Sequence, residues 1–542
     1  MKVELPIIRD EERTPLVVAL LDIINQALDH IHNLEETIQL LRDEIAVLKG
    51  QKPRPKIQPS ILPLADPSAT TPGPDRRRGR PSQPRTENLT IHQEVVLDLE
   101  NPPVGAILKD HEPYIVQDLR IESHNTCYQR ARYELPEGGS ILAPLPEGVL
   151  PVEGGHYGAN LVAYIMDQYH QAHVTEPLLL EQLEEYGIVI SAGQLHSILT
   201  ENKERFHQEK EEVLAVGLVE SSYIATDDTG ARHQGHNGYC TVIGNDLFAY
   251  FESTDSKSRL NFLQILQGSQ RTYAINEITL AYWEQQKLPE SLLNRLTQGP
   301  QEWTDEAVWK ARLAELGITG ERYVRMATEG VLLGGLVARG VSPKLVILSD
   351  GALQFVLFVH AACWVHAERP LAKLVPSTPM HRAILEQVRT QLWQLYQDLK
   401  SYREHPEASQ RRLLEERFDA FVGQRTGYPN IDSVLKEMGE HKADLLRVLE
   451  RPEVPLHNNE MESDIREYVK RRKISGGTRS DAGRRCRDTF ASLKKTCRKL
   501  GLRFWDYLQD RIRGKGKVPR LGDLIRQKAR EKRATKVEAV PA

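Results

Sequence analysis

Tyr223-Ile224-Ala225-Thr226-Asp227-Asp228-Thr229 is an apolar, β-prone run that stops on two carboxylates. Gly238-Tyr-Cys-Thr-Val-Ile-Gly244 and Leu247-Phe-Ala-Tyr-Phe-Glu-Ser253 follow closely, with Gly244-Asn245-Asp246 supplying turn chemistry. Three short strands with tight links predict an antiparallel meander whose first strand ends at Asp227. A second run, Lys344-Leu-Val-Ile-Leu-Ser-Asp350, is apolar almost throughout, the pattern of a strand buried on both faces in the middle of a sheet. A third acidic stretch, His457-Asn458-Asn459-Glu460-Met461-Glu462-Ser463-Asp464-Ile465-Arg466, opens a helical pattern crowded with Arg and Lys.

A carboxylate at the end of a buried strand is costly unless something cationic meets it. If Asp227, Asp350 and Glu462 converge, their repulsion raises at least one pKa unless a cation sits between them. Ligation by oxygen alone favours Mg²⁺ or Mn²⁺ over zinc. Two such ions, roughly 4 Å apart, can activate an attacking oxygen and stabilise a leaving oxygen on phosphorus. Arg466, Lys470, Arg471, Arg472 and Lys473 would then hold a phosphate backbone. The structural alternative is that Asp227 and Asp350 cap turns while Glu462 makes an i,i+4 pair with Arg466.

At 542 residues the chain exceeds one core, so several domains are expected. No apolar run reaches the length of a membrane span, and the first residues lack the apolar core of a signal peptide. The expected location is the cytoplasm. Cys127, Cys240, Cys363, Cys486 and Cys497 form no C-x-x-C pair, which argues against a structural zinc site and a disulfide framework. His366 beside Cys363 has no second pair, so packing is its expected role. The net charge of −4 hides a strong asymmetry: from Arg466 to Lys536 there are 25 Lys/Arg against 7 Asp/Glu. Such a block attracts polyanions by releasing condensed counterions, or is simply a solvated surface.

Residues 14–50 carry Ile24, Ala27, Ile31, Leu34, Ile38, Leu41, Ile45 and Leu48 at alternating three- and four-residue spacing. This predicts a coiled coil pairing with a second chain, and hence a homo-oligomer. Residues 51–89 read as a basic, Pro-rich linker containing Arg76-Arg77-Arg78-Gly79-Arg80-Pro81. Its core resembles an AT-hook, whose arginines, here Arg78 and Arg80, would enter a narrow minor groove. Residues 90–150 read as β-rich: Glu94–Leu99 and Tyr114–Leu119 alternate in polarity, and Gly138-Gly139 marks a hairpin. Residues 151–217 are helical, with a Gly187 stop and a Ser191 N-cap in a helix-turn-helix layout that offers Gln194 to a groove. A catalytic core is expected over 218–475, with a helical insertion at about 260–340, and a basic region over 476–542 that is disordered from about 527.

Several blocks also carry a resemblance. They are Thr226-Asp227-Asp228-Thr229-Gly230, Leu348-Ser349-Asp350-Gly351, Cys363-Trp364-Val-His366-Ala-Glu368-Arg369, Asn458-Asn459-Glu-Met-Glu462, Arg472-Lys473 and Ser480-Asp481-Ala482-Gly483. In this order they resemble the insertion sequence 66 family of bacterial transposases, as do the upstream coiled coil, basic linker and helical hairpin. The resemblance implies an α/β fold with an RNase H-like mixed-sheet core. By motif position it selects Asp227, Asp350 and Glu462 as an Asp-Asp-Glu triad holding divalent metal. It also implies cleavage and joining of double-stranded DNA at mobile-element ends, in the bacterial nucleoid, with small accessory proteins as partners. This chain departs from the family in four places. Only Cys127 stands where a zinc-binding segment is usual, His457 replaces an Asp, Glu368 replaces an Arg, and no aromatic follows Arg472-Lys473. A DNA-binding protein that keeps the fold without the chemistry is the competing expectation.

Overall fold

A computed structural model describes residues 89–538 apart from 100–102, 104 and 147–155. The expected coiled coil over 14–50, and Arg78 and Arg80 of the linker, lie outside the described residues. Before residue 147 the described chain makes one small hairpin, β1 (Arg132–Glu134) and β2 (Ser140–Leu142), turning through Gly138 and Gly139 at positive φ. The alternating runs at 94–99 and 114–119 were expected as strands and are not paired: Val95, Leu97, Tyr114 and Val116 are exposed. Alternation supplies one apolar face, but a strand also needs an edge to receive its backbone groups.

Four helices follow: Ala159–His170, Glu176–Glu185, Ala192–Thr200 and Glu204–Glu220. Gly187 sits at φ +73° between the second and third, and Ser191 caps the third with a reciprocal bond to Gln194. Ile165, Leu179, Leu183, Leu195 and Leu199 form the core of this unit.

Next comes the sheet that organises the molecule. β3 (Tyr223–His233), β4 (His236–Gly244) and β5 (Ala249–Thr254) form the antiparallel meander. Contrary to expectation, β3 does not end at Asp227. It continues to His233 because β4 pairs with it to the last residue, and Gln234 and Gly235 close the hairpin, both at positive φ. Between β5 and the next sheet strand lie five helices, Arg259–Gln267, Glu277–Gln285, Glu290–Leu296, Glu306–Glu315 and Glu321–Ala338. A two-residue ladder of β6 (Tyr273–Ala274) and β7 (Glu302–Trp303) runs among them. The chain re-enters the sheet as β8 (Val346–Ser349), then β9 (Val359–Ala362), both parallel to β3. The result is a mixed five-stranded sheet in the order β5-β4-β3-β8-β9.

Helices from Trp364 to Glu450 build a second core around the fully buried Trp364, Leu392, Leu399 and Phe418. The Asn459–Ser475 helix then returns across β3 and β4, anchored by Asn458, whose side-chain amide donates to the Thr226 carbonyl at 2.7 Å. The Asp481–Lys499 helix covers the free edge of β5. Asp488 accepts from the Ser253 backbone N–H at 2.8 Å and Ser492 from Phe251 N–H at 2.9 Å, while Thr496 bonds both backbone groups of Ala249. One i, i+4, i+8 stripe of short polar side chains thus occupies the positions a sixth strand would take. The last helix, Leu521–Glu538, extends through the segment expected to be disordered; Leu521, Ile525 and Ala529 bury its inner face against the Glu204–Glu220 helix. Among the described residues no helix is long and apolar enough to cross a membrane.

Candidate active site

Ala225 on β3 is in register with Leu348 on β8. Asp227 and Asp350 lie two residues further on along these parallel neighbours, so both emerge at the same end of the sheet. Glu462 enters from the first turn of the Asn459–Ser475 helix. The three are within electrostatic reach. Burial pushes the Asp227 carboxyl up to about 7, and the charges of Asp350, Glu462 and Asp228 push the same way against one backbone N–H bond from Asp228.

Asp228 has different company. Burial raises it too, but Lys257 and the Gln354 amide, 3.2 Å away, oppose that rise. The start of the helix offers Glu460, Glu462 and Asp464, and the fold distinguishes them. Glu460 pairs with Lys499, and buried Asp464 lies 3.1 Å from both Lys495 and Lys499. Glu462 instead turns toward the sheet and is largely buried.

Glu462 already has partners. Arg369 lies at 3.3 Å and Arg466 at 3.1 Å, and His366 Nε2 stands 3.9 Å away. The i,i+4 pair with Arg466 was the structural alternative at this position, and it is present. Asp350 likewise accepts the Ala352 N–H at 3.0 Å, a turn-capping bond. His366 borders the site: burial lowers its pKa, Arg369 adds to this, and the Glu462 and Asp350 charges oppose it. Its sequence neighbour Cys363 is buried in the core, its sulfur accepting the Asn458 N–H. Trp364 and Tyr468 are also core residues, Tyr468 bonding Ser253 at 2.8 Å and Asp488 at 3.2 Å. Glu368, the departure after Cys-Trp-x-His, is buried against Arg389 at 2.5 Å.

The basic residues expected to grip phosphate divide in two. Arg466, Lys470 and Lys473 are exposed at i, i+4 and i+7, extending the helix face that carries Glu462. Arg472 is half-buried against Thr229 and Gly230 of β3. Arg471 is not available: it is buried, its guanidinium 3.9 Å from the Tyr169 ring centroid and donating to the Tyr169 carbonyl at 2.7 Å. It lies on the opposite side of the helix from Lys470's neighbours and joins this helix to the upstream helical unit. Gln194 is exposed, with part of its amide engaged inside the helical unit. Its carbonyl oxygen accepts from Ser191 N–H and Tyr157 O–H, each at 3.0 Å. Paired contact with an adenine edge requires both the oxygen and the nitrogen of the amide, and the oxygen is held in the helix cap.

The carboxylate oxygens of Asp227, Asp350 and Glu462 are the donor chemistry a hard divalent cation takes. A cation there would also relieve the partly buried Asp227. Among the described residues, however, no group of three or more His, Cys, Asp or Glu side chains is drawn close enough to hold an ion as it stands.

Comparison with known proteins adds two findings. The family described as "Transposase IS66 family" matches residues 354–485, a span that includes Glu462 and ends just past Ser480-Asp481-Ala482-Gly483. The uncharacterized protein y4jO of Sinorhizobium fredii is 42% identical over 303 residues, covering 55% of this chain and 94% of that protein.

Proposed function

The chain belongs to the IS66 family of transposases, and from that premise we propose that it cuts and joins double-stranded DNA at mobile-element ends using a divalent cation. The observation that carries the proposal is the Asp227 carboxyl, partly buried and raised to about 7 beside the charges of Asp350 and Glu462. Clustered acids with perturbed pKa values mark functional sites more often than structural ones. A mixed sheet in which a three-strand meander continues into two parallel strands supports an RNase H-like core, with Asp227 and Asp350 on adjacent strands.

In this scheme Asp227, Asp350 and Glu462 would hold divalent cations, Mg²⁺ or Mn²⁺. When bound, the ions make the attacking oxygen more acidic and neutralise charge growing on the leaving oxygen. Water attacks phosphorus in line, a new P–O bond forms, and the bond to the 3′-oxygen breaks to leave a 3′-hydroxyl. That hydroxyl then attacks a target phosphodiester, loses its proton to solvent and displaces the target's own 3′-oxygen. Arg466, Lys470, Arg472 and Lys473 hold the backbone that crosses the site. Arg78 and Arg80 add minor-groove contacts, the 14–50 segment pairs two copies, and small accessory proteins assist, in the cytoplasm at the nucleoid.

Purified full chain, Mg²⁺ and DNA bearing the element ends test this. Cleavage and joining should fall by far more than tenfold in Asp350→Asn, and a smaller loss would sink the triad. The ion pairs of Glu462 favour a second possibility, a DNA-binding protein with this fold and no chemistry. In that case DNA is bound and never cut, with or without metal.

A further inference from the structure

Ser349, the residue before Asp350, is fully buried and belongs to a side-chain chain the catalytic proposal does not use. Ile347 and Ser349 share one face of β8, and His360 and Ala362 share the same face of β9, because Ile347 pairs with His360 and Ser349 with Ala362. Ser349 Oγ lies 2.9 Å from His360 Nε2. On the ring's other side, His360 Nδ1 lies 3.1 Å from Asp444 Oδ2. Nδ1 faces this carboxylate at close range without completing a hydrogen bond to it, while on the other side Nε2 can accept from the Ser349 hydroxyl. Arg447 closes the far end, 3.5 Å from Asp444 Oδ1 and donating to the His360 carbonyl at 3.1 Å. Although burial alone would raise it, His360, Arg447 and His441 hold the Asp444 carboxyl below the usual range.

Ser, His and Asp in this order have the connectivity of a nucleophilic triad. The serine here has no access to substrate, so that chemistry is excluded. Its hydroxyl points elsewhere: Ser349 Oγ accepts the Gly351 N–H at 3.1 Å, and Gly351 holds φ +93°, a conformation side chains avoid. Ser349 and Gly351 flank Asp350, which is itself exposed. The rigid end of the chain, Asp444, sits on the short Lys442–Leu445 helix that packs on β9 and receives the Trp364 indole N–H at 2.8 Å.

We propose that Ser349, His360 and Asp444 form a polar relay, one hydrogen bond followed by one close imidazole–carboxylate contact, that positions the Asp350 carboxylate from the helical unit beyond β9. The role in ion binding rests on the metal-site proposal above; the positioning itself does not. All three are positioning residues, since none touches substrate or ion.

Hydrogen exchange on the full chain tests the relay. Amide protection over 350–353 should fall at least tenfold in Asp444→Asn, which alters the remote end, as well as in Ser349→Ala and His360→Gln. Asp444→Glu should restore it. Mn²⁺ titration of the same variants should show affinity weakened by about tenfold, the usual effect of removing a group that orients a ligand. Protection over 350–353 within twofold of the parent in Asp444→Asn and His360→Gln would overturn the relay. Lost protection with Mn²⁺ affinity unchanged would overturn its positioning of Asp350 as a ligand. A parent chain that binds no Mn²⁺, while Asp444→Asn still loosens 350–353, would retain the relay and remove the metal-site proposal instead.

Discussion

Asp227 is the residue on which the proposed chemistry turns, and its position has a consequence for stability. Its folded pKa of about 7 lies above the ordinary carboxylate value, so the folded chain holds a proton there that the unfolded chain has released. That contribution to stability is fully present below about pH 4 and is lost as pH rises through about 7, with a slope of at most about 1.4 kcal/mol per pH unit. Without metal, Asp227→Asn is therefore expected to raise the melting temperature at pH 8 and to change it little at pH 4, as calorimetry at the two pH values would show. A second pair of variants separates neighbours with opposite roles. Lys470→Ala should weaken DNA binding and reduce the salt slope by about 1 with an unchanged melting temperature. Arg471→Ala should destabilise the chain by about 2 kcal/mol or more, since it removes the donor to the Tyr169 carbonyl and the cation over the Tyr169 ring. Nothing in a sequence of consecutive basic residues distinguishes these two except helical phase, and phase can be assigned only once the buried Met461, Ile465 and Tyr468 are known to face inward. The choice of Glu462 rests on its motif. The reason Glu460 and Asp464 are excluded was not legible in the sequence, because Lys495 and Lys499 lie on a different helix.

At the scale of elements, strands with self-contained signals were readable: the meander and the apolar β8. The length of β3 was not, because its last six residues are polar or small and owe their strand to β4. The cover over β5 was likewise hidden. Asp488, Ser492 and Thr496 look like ordinary polar helix residues until the strand edge they serve is known, although their four-residue spacing is visible in the sequence. Asp488→Ala should remove two acceptors from Ser253 and one from Tyr468, costing about 2 kcal/mol or more. Hydrogen exchange should then rise at 251–254 before it rises in β3, whereas uniform exchange across the sheet would mean that the helix does not guard this edge. The 521–538 helix escaped notice for a related reason. Its charged composition resembles a disordered tail, and only three apolar residues at four-residue spacing meet the Glu204–Glu220 helix.

For the whole molecule, the basic excess near the C-terminus suggested a polyanion surface, and much of it is internal. Arg511 is bound to Glu209 at 2.8 Å, and Lys494 and Lys495 both to Glu467. These pairs join helices far apart in sequence, so a count of charge along the chain could not anticipate them. Exposed near Glu462 are Arg369 and the short stripe of Arg466, Lys470 and Lys473, a placement that supports a DNA strand passing the site. The molecule thus brings together strands from the meander, a strand after the helical insertion and a helix from the distal region, and the central claim is that they meet to hold a divalent cation. Mn²⁺ titration calorimetry on the intact chain addresses this most directly. The account predicts saturable binding that Asp227→Ala abolishes and Asp228→Ala largely preserves; no binding in the parent chain, or equal binding after Asp227→Ala, would contradict it.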